Sequence, residues 1–98
     1  MAQVVYSARA FADFERIVDF LREEEPELAG RVVSRVREAV SILREHPLIG
    51  RPVEAGMREL VISRGRTGYV ALYRYREAED VVLVLALRHQ REAGYERD

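Results

Sequence analysis

The residues best equipped for chemistry lie in the last stretch of the chain, Arg88-His-Gln-Arg-Glu-Ala-Gly-Tyr95. An imidazole moves protons near neutral pH, a guanidinium neutralises developing charge on a phosphate, and a phenol can donate a proton or a hydrogen bond. His89, Arg91 and Tyr95 could therefore act together as acid/base and phosphate clamp in RNA cleavage. The competing reading is structural and is the commoner one for such clusters: Arg88 and Arg91 solvate the end of a strand while His89 and Tyr95 half-cover the edge of the core. Other chemistries have less to work with. The chain has no cysteine, and its two histidines, His46 and His89, lie far apart in sequence, so no metal-ligand spacing exists. The closest approach to a phosphate loop, Arg64-Gly-Arg-Thr-Gly68, joins two strands and lacks the following helix. No G-x-S-x-G elbow occurs. No cofactor is implied.

A second set of candidates is suited to binding. Tyr69, Tyr73 and Tyr75 alternate with Arg74 and Arg76, a pattern that can stack bases, receive a protein segment, or simply form a half-buried row with its hydroxyls in water. All 16 basic residues are arginine. Between positions 51 and 76, six arginines against two glutamates leave a local charge of +4, whereas positions 10 to 27 carry −5. Such a basic patch can meet an acidic partner or a nucleic acid, or form a solvated edge, which is the commoner case; with the tyrosine row and the strand end, Arg51, Arg58, Tyr73, Arg74, Arg76 and Arg88 are the candidate partner-contact residues.

These residues need elements to position them. Gln3–Tyr6 reads as a short strand, with Ser7 as N-cap of a helix whose apolar stripe is Phe11, Phe14, Ile17, Val18 and Leu21. Acidic Glu23–Glu25 opposes the dipole at that helix's C-terminus, and Pro26 suits the first turn of the next, so the chain breaks near Glu24–Glu25. The second helix carries Leu28, Val32, Val36, Val40 and Leu43 and must stop before Pro47. A rigid turn, His46-Pro-Leu-Ile-Gly-Arg-Pro52, leads to strands Met57–Ser63, Tyr69–Tyr75 and Val81–Arg88. The run Val81–Leu87 is apolar throughout and reads as a buried central strand. Simple alternation along it puts Leu83, Leu85, Leu87 and His89 on one face and Val82, Val84, Ala86 and Arg88 on the other.

The expected fold is α+β, ordered β-α-α-β-β-β, an antiparallel sheet with a two-helix hairpin on one face. Its 98 residues make one domain, 1–98. With no signal-like N-terminus and no run of spanning length, a cytoplasmic protein without membrane contact is expected.

The order of strand, helical hairpin, His46-Pro-Leu-Ile-Gly-Arg51, Arg58-x-Leu60-x-Ile62, Tyr69-Val-Ala-Leu-Tyr73 and Leu85-Ala-Leu-Arg88-His89-x-x-Arg91 resembles the RelE/ParE toxins of bacterial type II toxin–antitoxin systems. That resemblance implies a growth-inhibiting toxin held in a hetero-oligomer by a cognate antitoxin, in modules that serve plasmid stabilisation among other roles. RelE-like members cut ribosome-bound mRNA with cationic side chains on the sheet and a C-terminal tyrosine; ParE-like members poison DNA gyrase. Here Val70 stands where a RelE-like arginine is expected, and Val61 and Ser63 where lysines are expected. The chain thus resembles the ParE side, with endoribonuclease activity through His89, Arg91 and Tyr95 as one alternative and an inactive binding module as another.

Overall fold

Ser7 sits in extended conformation and its hydroxyl accepts from Ala10 N–H at 3.0 Å, which starts helix α1, Ala8–Glu24. A single non-helical residue, Glu25, separates it from α2, Pro26–Glu45, whose first position is the proline, and α2 ends ahead of Pro47. Before the helices lies strand β1, Gln3–Tyr6; after them come β2, Arg51–Pro52, β3, Arg58–Ser63, β4, Tyr69–Arg76, and β5, Val81–His89. The computed structural model describes residues 1–63 and 68–89. The expected turn at Arg64–Thr67 and the tail positions Arg91 and Tyr95 lie outside them.

The strand order is β1-β5-β4-β3-β2. The α+β class and the helical hairpin on one face hold, but the sheet is mixed rather than purely antiparallel: β1 runs parallel to β5, Gln3 opposite Val81 and Tyr6 opposite Val84. The reason is the connection. The chain between β1 and the rest of the sheet is a helical hairpin followed by a meander, and this returns β5 beside β1 in the same direction. At the other edge the two-residue β2 pairs with β3, closed by a bond from Val53 N–H to Met57 O across a turn containing left-handed Ala55 and Gly56.

The core lies between sheet and hairpin. Ile17, Val18 and Leu21 of α1 and Val32, Val36 and Leu43 of α2 are buried, and Tyr73, Val82, Val84 and Leu87 supply the sheet side. Phe11, placed in the α1 stripe from its spacing, is instead 55% exposed. In the first turn of α1 it is Ala10, not Phe11, that is buried. No helix among the described residues is long and apolar enough to cross a membrane.

Two bulges set which face each strand residue shows. Along β4–β5 the pairs run Tyr75–Val82 and Tyr73–Val84, then jump to Leu72–Ala86 and Ala71–Leu87, leaving Leu85 as the extra residue. The face expected from uninterrupted alternation is therefore wrong. Val82 and Val84 share the helix-covered face with Leu87 and His89, while Leu83 lies on the opposite face. A similar slip at Ile62 places Ser63 opposite Tyr69.

Candidate functional site

Beyond the end of β1, the edge of β5 is completed by Ser7, the N-cap of α1, and Asp13 of α1 rather than by a strand. Ser7 N–H donates to Val84 O at 2.9 Å, its hydroxyl donates to Leu85 O at 3.1 Å, and Asp13 Oδ2 accepts from Leu87 N–H at 3.1 Å. The Asp13 carboxylate is in turn flanked by Arg16 at 3.5 Å and Arg9 at 4.0 Å. These contacts hold the bulge and carry the strand on to His89, whose half-buried ring meets Tyr69 edge to face, centroids 5.4 Å apart and planes at 83°. Of the three residues nominated for catalysis, His89 is thus placed beside the core, and Arg91 and Tyr95 fall outside the described residues.

The nominated arginines separate. Arg51, Arg74, Arg76 and Arg88 all lie on the sheet face away from the helices, by their register with Glu59, Leu83, Val81 and Val70. Arg51 pairs with Glu59 at 2.7 Å, and Arg74 donates to Ala55 O at 2.9 Å. The cross-strand row Val61–Val70–Arg88 on that face is two valines and one arginine.

Arg58 and Tyr73 face the helix side and perform different work. Tyr73 is fully buried. Its hydroxyl donates to Pro47 O and accepts from Gly50 N–H, each at 2.8 Å, and Arg58 donates to Leu48 O at 3.0 Å and Gly50 O at 2.8 Å. Tyr73 is therefore corrected from contact residue to core latch. Its register opposite Val84, set by the bulge, turns it under the hairpin, where an unpaired phenol would be costly and the 46–50 turn provides both partners. Burial pushes its pKa up, against the lowering effect of the Gly50 bond and the Arg58 charge. Gly50 is required by that approach, since a Cβ there would lie 2.6 Å from the Tyr73 hydroxyl oxygen and 2.9 Å from Glu59 O.

Sequence reasoning missed a groove on the helical hairpin. Tyr6, Phe11, Phe14, Val33 and Val40 line a depression of about 560 Å³ with Arg37 and Arg44 at its rim. Neither arginine is ion-paired among the described residues. Burial raises the pKa of Tyr6 at its floor. The signal was present in the exposed side of the α2 repeat, where Val33, Arg37, Val40 and Arg44 recur at helical spacing next to the buried stripe. Among the described residues, no group of three or more His, Asp or Glu side chains is placed to hold a metal.

Comparison with known proteins gives a consistent neighbourhood. The family model described as the ParE toxin of type II toxin–antitoxin system, parDE, matches residues 4–94. Toxin RelE2 of Caulobacter vibrioides is 38% identical over 89 residues, spanning 91% of this chain and 96% of that protein. Toxin RelE3 of the same organism is 32% identical over 92 residues, 94% of this chain and 98% of its own length. Among solved structures, a chain of the chromosomal ParDE system from P. aeruginosa superposes with a TM-score of 0.73 at 26% identity, covering 91% of this chain and 96% of that one. A chain of the RelBE2 toxin–antitoxin complex from Mycobacterium tuberculosis gives 0.61 at 25% identity, covering 90% and 96%.

Proposed function

The chain belongs to the ParE toxin family of type II toxin–antitoxin systems, and from that premise we propose that it inhibits DNA gyrase by surface contact, without bond-breaking chemistry, until a cognate antitoxin covers it. The observation that supports contact over catalysis is the row Val61–Val70–Arg88. Phosphodiester cleavage needs cations aimed at the scissile phosphate, and losing one such donor commonly lowers the rate about a hundredfold or more. Here valine stands at two places in the row. His89, drawn against Tyr69 on the opposite face, is separated from Arg88 by the full thickness of the sheet.

The antitoxin segment that fits best is an acidic amphipathic helix lying in the hairpin groove, apolar residues on Phe11, Val33 and Val40 and carboxylates on Arg37 and Arg44. This moves the expected contact away from Arg51 and Arg58, which are already engaged with Glu59 and with the 46–50 turn.

The experiment is a direct choice between targets. Purified toxin is added to a gyrase supercoiling reaction and, separately, to a translating extract in which mRNA ends are mapped. Loss of supercoiling with intact mRNA is the expected result. Codon-specific cleavage abolished by His89→Ala, with supercoiling untouched, would overturn it and establish the ribonuclease reading, which the RelE names of the relatives favour.

A further inference from the structure

Leu48 and Ile49 are 58% and 54% exposed at the tip of the turn that Tyr73 and Arg58 hold from beneath. Isolated exposed aliphatics are ordinary. Here two adjacent ones stand on backbone fixed at Pro47 O, Leu48 O, Gly50 N and Gly50 O, with a further bond from Ile49 N–H to His46 O at 3.1 Å. A tip so fixed loses little freedom when a partner covers it. Beside it is a cleft of about 600 Å³ formed by Pro47, Leu48, Ile49 and the Tyr75 ring, with His46 and Glu77 at the rim.

The Arg58 guanidinium lies beneath the tip, bonded to Leu48 O and Gly50 O, but the lining of the cleft and the turn beside it carry the opposite charge to the lining of the hairpin groove. Glu77 lines it, Asp80 accepts from the Tyr75 hydroxyl at 2.7 Å, and exposed Glu79 belongs to the same β4–β5 turn. Arg76, the last residue of β4, has its register partner, Val81, on the far face, and no arginine lines the cleft among the described residues. The cleft and the groove share no lining residue.

We propose that the Leu48–Ile49 tip and its cleft seat a segment of a second protein that presents a bulky apolar side chain next to an arginine or lysine, and that this is a target-side contact separate from the antitoxin groove. The assignment to the target side rests on the toxin reading above; the chemistry of the segment rests on the cleft alone. An acidic antitoxin helix is repelled by Glu77 and Glu79 and attracted by Arg37 and Arg44, so the two surfaces sort their partners by charge.

The test is methyl NMR on the full chain titrated with two synthetic peptides, acetyl-Leu-Arg-Arg-Leu-amide and acetyl-Leu-Glu-Glu-Leu-amide. The arginine peptide is expected to shift the Leu48 and Ile49 methyls saturably and leave Val33 and Val40 unmoved; the glutamate peptide is expected not to move the tip. Glu77→Lys, on an exposed turn, should weaken the arginine peptide at least fivefold. Leu48→Ser with Ile49→Ser should abolish its binding, with the fold checked by the Tyr73 ring resonances. Equal movement of the tip by both peptides, no movement by either, or an unchanged affinity in Glu77→Lys would overturn the proposal. If wild-type toxin leaves gyrase active while the arginine peptide still binds at the tip, the gyrase reading fails and the cleft assignment stands.

Discussion

Tyr69 and Tyr73 are four residues apart on one face of one strand and both are buried, yet different neighbours hold them. Tyr73 lies under the 46–50 turn with both hydrogen-bonding functions of its hydroxyl used by backbone. Tyr69 lies at the end of the sheet, its ring against His89. The end with reactive residue types has its strand edge completed by Ser7 and Asp13, and the row on its outer face, Val61–Val70–Arg88, is two valines and one arginine. The end with an unremarkable Pro-Gly turn is the tightly specified one, where a glycine has no room for a methyl group. Residue type indicates what a side chain can do; the neighbours that satisfy it decide what it does.

The difference between the two ends can be broken by substitution. Gly50→Ala drives a methyl into the Tyr73 hydroxyl and the Glu59 carbonyl, with an expected cost of about 3 kcal/mol. For a domain of this size that is a fall in Tm of about 12 °C or more, read by thermal unfolding. Tyr73→Phe keeps the ring but strands Gly50 N–H and Pro47 O, and is expected to cost about 2 kcal/mol in denaturant unfolding. At the other end, Asp13→Ala removes the acceptor for Leu87 N–H and is expected to cost about 1 to 2 kcal/mol. Because Asp13 supports the bulge, that variant should also move the His89 ring resonances, which Tyr73→Phe should leave in place.

Alkaline titration sharpens the same contrast. The folded pKa of Tyr73 is raised above the ordinary 10.0, chiefly by burial, so folding favours the neutral phenol. Its contribution to stability is full below pH 10.0 and is lost as pH rises through the higher folded value. Stability measured from pH 9 upward should therefore fall in the wild type and fall less steeply in Tyr73→Phe. Tyr6, raised by burial, and Tyr75, raised first by its bond to Asp80, add to the wild-type slope and remain in the variant. The smallest effect belongs to the Arg51–Glu59 pair, whose arginine is exposed: Arg51→Ala should change stability by no more than about 1 kcal/mol, an amount further reduced by salt.

Much of this architecture is legible without coordinates because it follows from local rules. Ser7 as a cap, Pro26 as a first helical residue and Pro47 as a stop each act on the backbone within a few positions, and the α2 stripe is a matter of spacing alone. The order of elements and the resemblance of His46–Arg51 and Leu85–Arg91 to a toxin family likewise reside in the sequence. Three features do not. The bulge at Leu85 depends on a strand that must meet both β4 and two side chains distant in sequence, Ser7 on Leu85, 78 residues apart, and Asp13 on Leu87, 74 residues apart, and it puts Leu83 and His89 on opposite faces. The burial of Tyr73 depends on a turn 23 to 26 residues earlier folding over it. The groove depends on α1 and α2 packing so that Phe11 and Phe14 come together with Val33 and Val40. Helix caps and stripes are decided within one turn of chain, whereas strand faces, buried hydroxyls and docking surfaces are decided by partners distant in sequence, and only the tertiary structure supplies those.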